Sequence, residues 1–226
     1  MSHAVSPNVN EMRPPWPAER GVDAHNLKLG MWVFLASEVM FFTALIGSYV
    51  ILRFGAPGEW AKPGAVLNVP VTAFNTFLLI CSSVSMVKAF AAIADGNQKQ
   101  FKFWFLVTII GGAGFVGVQV YEYTHLIAHG FVPSGVRDGS ELAELVAQGK
   151  LPAATMGLYG STFYTMTGFH GFHVTCGVIS MLYLYFKKVL PGKYSQADYR
   201  GIEAIGLYWH FVDLVWIILF TIVYLI

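Results

Sequence analysis

Five stretches of this chain, Leu29–Leu52, Val66–Val87, Phe103–Ile127, Leu158–Phe186 and Ile205–Ile226, are apolar over at least the length that a helix needs to cross a bilayer. Hydrocarbon offers no partner to backbone N–H and C=O groups, so a segment of this kind must satisfy them internally, as an α-helix does. The fold class expected is therefore all-α: a polytopic membrane protein built as a five-transmembrane-helix bundle. Composition agrees, with 55% hydrophobic and 12% charged residues and a mean hydropathy of +0.56. The formal net charge of +1 and the lack of a basic run give no support to nucleic acid or acidic substrates as partners.

The turn formers fall between these stretches, at Gly55 to Gly58, Asp95 to Asn97, Pro133 to Gly139 and Pro191–Gly192, and none resembles a domain linker. One membrane domain, residues 28–226, is expected after a proline-rich tail, residues 1–27, that has no apolar signal-peptide core. Ten of the 14 Lys and Arg residues flank one side of the spans: Arg13, Arg20, Lys28, Lys88, Lys99, Lys102, Lys187, Lys188, Lys193 and Arg200. That bias places the N-terminus in the cytoplasm and the C-terminus outside. In the outside loop 131–157, the spacing of Asp138 and Glu141 predicts a short helix capped by Asp138, with Leu142, Leu145 and Val146 on its apolar face. Trp16, Trp32, Tyr121, Tyr123, Tyr208 and Trp209 read as interfacial anchors or packing, and Cys81 and Cys176 as small hydrophobes within spans.

Ionisable residues inside the spans carry the functional signal, because a charge in hydrocarbon costs several kcal/mol unless it is paired or solvated. Glu38 lies among Phe41, Phe42 and Leu45; a neutral carboxyl there is a hydrogen-bond donor, suited to proton handling or to a polar contact with Ser37 or a histidine. Three pairs share a helix face at i, i+3: Glu122 with His125, His170 with His173, and His210 with Asp213. Such pairs hold metal in some membrane oxidases. Helical rise puts Glu38 and Asp213 at roughly 14 Å from the cytoplasmic end, His210 at roughly 9 Å, His173 at roughly 20 Å and Glu122 at roughly 28 Å, so Glu122 is remote from the others. The structural reading is of neutral imidazoles bonding across helices, with Gly168, Gly171, Gly177 and Gly206 allowing close approach. Asn75, Thr76, Ser82, Ser83 and Ser85 give the second span a polar face for another helix or for lipid headgroups.

Residues 30–42 read Gly-Met-Trp-Val-Phe-Leu-Ala-Ser-Glu-Val-Met-Phe-Phe, residues 159–173 read Tyr-Gly-Ser-Thr-Phe-Tyr-Thr-Met-Thr-Gly-Phe-His-Gly-Phe-His, and residues 208–216 read Tyr-Trp-His-Phe-Val-Asp-Leu-Val-Trp. With the weaker echoes Asn75-Thr76, Ser83-Val-Ser85 and Gln119 to Tyr123, these words make the chain similar to subunit III of the haem-copper terminal oxidases, from Lys28 to the C-terminus. The resemblance implies a subunit of the bacterial cytoplasmic membrane with no redox centre of its own. It packs against subunit I, in a complex with subunit II and further subunits, and its helices form a cleft holding phospholipid. It further implies that haem and copper belong to the partner subunits and that cytochrome c is the donor to the complex. The family role is to line an oxygen route, to keep proton uptake fast and to protect subunit I in turnover.

Glu38 matches the family's buried reactive carboxyl, and the matching polar set is Glu38, His170, His173, His210 and Asp213. Lipid-cleft or interface positions are Trp32, Ser37, Asn75, Glu122, His125 and Trp209. Many family members have two further N-terminal helices, whereas five-helix forms also occur among quinol oxidases. A quinol oxidase subunit is thus the nearer alternative; a self-contained membrane metalloenzyme using His170, His173, His210 and Asp213 is the alternative of a different class. A transporter is disfavoured, since no internal repeat or broken helix pair is present.

Overall fold

The computed structural model describes residues 21–56, 58–195 and 199–225, with side chains from Asn26 onward. Its elements run α1 (Gly21–Gly55), α2 (Pro63–Val66), α3 (Val69–Ala94), α4 (Gln98–Ala128), β1 (Phe131–Val132), β2 (Gly135–Val136), α5 (Glu141–Ala147), α6 (Ala153–Leu184) and α7 (Arg200–Phe220). Single π-turns, Tyr185–Val189 and Thr221–Leu225, prolong α6 and α7. Among the described residues, five helices are long and apolar enough to cross a membrane, as expected: α1, α3, α4, α6 and α7. Helix α1 begins inside the stretch expected as tail, while residues 1–20, Trp16 among them, lie outside the described part.

At two of the spans an asparagine cap fixes where the helix starts. Asn68 accepts from Val71 N at the start of α3, and Asn97 accepts from Gln100 N at the start of α4. The cap of α5 corrects the expectation: Ser140, not Asp138, accepts from Ala143 N at 3.2 Å, and the helix begins at Glu141. Gly139 supplies the left-handed turn before it, with φ +73°.

Helices α3, α4, α6 and α7 form the packed core, and α1 lies against α7 and α6. Trp209 is 1% exposed at the centre of that core. A Cβ at Gly112 would run into its ring, and one at Gly177 would come within 3.0 Å of it, so these glycines let α4 and α6 close on α7. Gly171 gives similar access to the Gln119 side chain, whereas Gly206 would bring a Cβ only to ordinary contact with Met86, so its smallness is not needed for packing. Loop 131–157 holds a two-residue hairpin, Phe131 opposite Val136 and Val132 opposite Gly135, which the sequence reading did not foresee. The hairpin is seated on α6: Ser161 donates to Pro133 O at 2.7 Å and Tyr164 to Phe131 O at 2.8 Å.

Candidate functional site

Of the five residues in the expected polar set, Glu38, His170, His173, His210 and Asp213, the structure groups four as two acid–histidine clusters and sets one apart. Glu38 on α1 meets His173 on α6, with Oε2 and Nε2 3.0 Å apart and the side chains 15% and 13% exposed. The approach is close but poorly aligned, since Oε2 receives no well-formed hydrogen bond. Phe42 stands edge-on to the imidazole at 5.3 Å, and Phe41 flanks it at 6.4 Å. Ser37, an expected neighbour of the carboxyl, instead donates to Phe34 O at 2.6 Å.

The other nitrogen of His173 fixes the proton inventory. Its Nδ1 lies 2.7 Å from Phe169 O, and a carbonyl only accepts, so Nδ1 carries a hydrogen. Nε2 and Oε2 can then be joined in two ways, by a carboxyl O–H donating to a neutral ring or by an imidazolium N–H donating to a carboxylate. Either form leaves the pair neutral overall, so passing a proton from one group to the other would add no net charge in the membrane, although the present approach is not aligned as a hydrogen bond.

The second pair stands on α7. Ser83 Oγ and His210 Nδ1 are 2.6 Å apart, and the same hydroxyl faces Asp213, which is 8% exposed. Oδ1 of Asp213 has no partner among the described residues. His170 is fully buried and donates from Nε2 to Val212 O at 3.1 Å, with its ring 4.7 Å from that of Trp216. The histidine pair at 170 and 173 therefore serves two different seams: one ring goes to α7 and the other to α1.

The remaining expected positions divide by burial. Glu122 is 6% exposed and accepts from Thr72 on α3, while His125 turns away from it and stacks on His129 with ring centroids 4.1 Å apart. Asn75 donates to Phe115 O at 3.2 Å and Trp209 donates to Ser82 Oγ at 3.2 Å. Both are buried inside the bundle, where Asn75 joins α3 to α4 and Trp209 joins α7 to α3; Trp32 is 53% exposed. Sequence reasoning missed Thr72 and Ser83 as partners of the acids, and His129 as the neighbour of His125. Small hydroxyl residues on a helix-packing face carry no signal of which one meets an acid. Among the described residues, no three His, Cys, Asp or Glu side chains converge as metal ligands would.

The model of the cytochrome c oxidase subunit III family matches residues 21–130 and 152–226, leaving out the segment with the hairpin and α5. "Cytochrome c oxidase subunit 3" of Synechocystis sp. is 35% identical over 224 residues, which is 98% of this chain and 85% of that protein. The protein of the same name from Thermostichus vulcanus is 34% identical over 197 residues, 87% of this chain and 86% of its own. A "Probable cytochrome c oxidase subunit 3" of Mycobacterium leprae is 35% identical over 201 residues, 88% of each chain.

Proposed function

Since the chain belongs to the cytochrome c oxidase subunit III family, we propose that it is a non-redox core subunit of an aa3-type complex, assisting the subunit that reduces oxygen to water and pumps protons. The observation that carries this reading is the Glu38–His173 contact, an acid and an imidazole 3.0 Å apart that bridge α1 and α6 inside the membrane. It suits a subunit that handles protons and shapes access for a neighbour. The metalloenzyme alternative needs His170, His173, His210 and Asp213 to share one ion. Instead His170 and His173 are engaged by carbonyls of Val212 and Phe169, and His210 by Ser83.

The relatives named as cytochrome c oxidase subunits support cytochrome c, rather than quinol, as the donor to the complex. The charge bias supports a cytoplasmic location for the end bearing Lys88, Lys102 and Lys187, with the hairpin and α5 outside. Phospholipid is the proposed occupant of the exposed face of α1, where Met40 is 75%, Ile51 72% and Phe54 82% exposed. Haem and copper are assigned to the partner subunits.

The test is purification of the chain from native membranes in mild detergent, with reduced-minus-oxidised spectra and metal analysis before and after it is separated from its partners. Haem and copper that accompany the chain and then leave with a larger subunit are the expected result. Metal that remains with the isolated chain in a fixed ratio would overturn the proposal in favour of the metalloenzyme.

A further inference from the structure

One face of α7 is covered by no other helix among the described residues. Phe34 and Phe42 of α1 meet Tyr208 and Phe211 on one flank of α7, with ring centroids 6.1 and 6.5 Å apart. On the other flank, Ser82, Ser83 and Thr76 of α3 meet Trp209, His210 and Trp216. Between the flanks runs the stripe Leu207, His210, Leu214 and Ile217, in which Leu207 and His210 are half-buried, Leu214 is 57% exposed and Ile217 39% exposed. Its spacing of three, four and three residues is the spacing by which one helix seats another. Beside it, Ile80, Val84 and Val87 of α3 are 38%, 51% and 53% exposed, again at intervals of four and three.

This face is apolar except at mid-span. Asp213 stands thirteen residues from Arg200 and twelve from Leu225, the ends of the span. Asp213 Oδ1 is buried without a partner, and the Ser83 hydroxyl that meets His210 also faces this residue. A serine has one proton to give. If it goes to Asp213, then Ser83 Oγ accepts from Nδ1–H of His210, and Nε2 of that ring is left as a bare acceptor on the open face. No partner for that nitrogen is found among the described residues. An acyl chain offers no donor to it, whereas a helix with a polar side chain at that depth does.

We propose that the α7 stripe, framed by α1 and α3, seats a transmembrane helix of another subunit, and that this helix donates a hydrogen bond to His210 at mid-membrane. The inference rests on the chain working inside an oxidase complex, and it identifies the face that meets the partner.

The test places a photo-crosslinking amino acid at Leu214 or, as the contrast, at Ile179, which is 60% exposed on α6. Both variants are irradiated in native membranes. The expected result is a protein adduct with another integral subunit from position 214 and none from 179. Phospholipid adducts alone at 214, or a protein adduct only at 179, would overturn the proposal. In parallel, His210→Ala should weaken retention of the chain in the detergent-solubilised complex about ten-fold, the scale of one interhelical hydrogen bond, while His210→Gln restores much of it. Retention of His210→Ala equal to that of the parent chain would count against the proposed donor. If the Ala variant fails to accumulate, the adducts formed by Leu214 decide. If the parent chain brings no haem or copper with it, the oxidase reading fails, and the identity of the adduct still shows whether a helix covers this face.

Discussion

Glu38 meets its imidazole across the seam between α1 and α6, whereas Asp213 and His210 stand one turn apart on α7 and share a serine from α3. The first arrangement is enclosed: its two groups face each other 3.0 Å apart, though without an aligned hydrogen bond, the far nitrogen is tied to a carbonyl, and aromatic rings surround the pair. The second is open, with one carboxylate oxygen and one ring nitrogen lacking partners within the described chain. The difference teaches that acid–histidine pairs of similar composition can serve opposite ends. A closed pair joins helices of its own chain, and an open one carries unspent hydrogen-bonding capacity towards whatever covers it.

Breaking the closed pair should give the largest effect. His173→Leu leaves the Glu38 carboxyl without its base and should cost about 3 kcal/mol, whereas Glu38→Leu with His173→Leu removes both polar groups and should recover most of that. Thermal unfolding of the purified complex would show it, and equal losses in the single and double variants would mean that the two groups are not coupled. Ser83→Ala dissolves the open cluster by removing its shared hydroxyl; a loss of about 1 kcal/mol is expected in the same assay, and no loss would show that His210 and Asp213 do not depend on it.

Glu38→Gln keeps the polar shape but cannot release a proton. The complex should assemble with a normal haem spectrum while proton uptake slows or the working lifetime shortens, as followed by pH-indicator kinetics and turnover. Loss of haem, or unchanged proton kinetics and lifetime, would remove the pair from proton handling. Least of all, Lys28→Ala breaks an ion pair of 2.5 Å with Glu203, at the basic end of the bundle, between side chains that are 54% and 33% exposed. Solvent screens such pairs, so the expected loss is about 0.5 kcal/mol, and a much larger one would mean that this contact, not Glu38–His173, fixes α1 in place.

The five spans were legible because hydropathy over bilayer length is a local property, and the cluster on α7 was half legible because i, i+3 spacing puts His210 and Asp213 on one face. The same spacing misled at Glu122 and His125: both are on one helix face, yet Glu122 finds Thr72 on α3 and His125 finds His129. Which neighbour a side chain reaches depends on how helices rotate against one another, and a helix's own sequence does not state that. The Asp138 cap failed for a smaller reason. Two residues further on, Ser140 offers the same oxygen next to the first helical residue, and Gly139 makes the turn that brings it there. The hairpin was invisible because strands of two residues have no alternation to read.

The placement of α1 has a consequence in time. A ribosome makes Glu38 135 residues before His173, as the difference of their positions gives. At about 5–20 residues per second, the acid waits roughly 7–27 seconds for its base. During that interval α1 has neither α6 nor α7 to lie against, and its carboxyl must be shielded by the insertion machinery or stay neutral among lipids. The contact between Glu38 and His173 therefore marks a late event in biogenesis, the moment when the first span is recruited to helices made well after it.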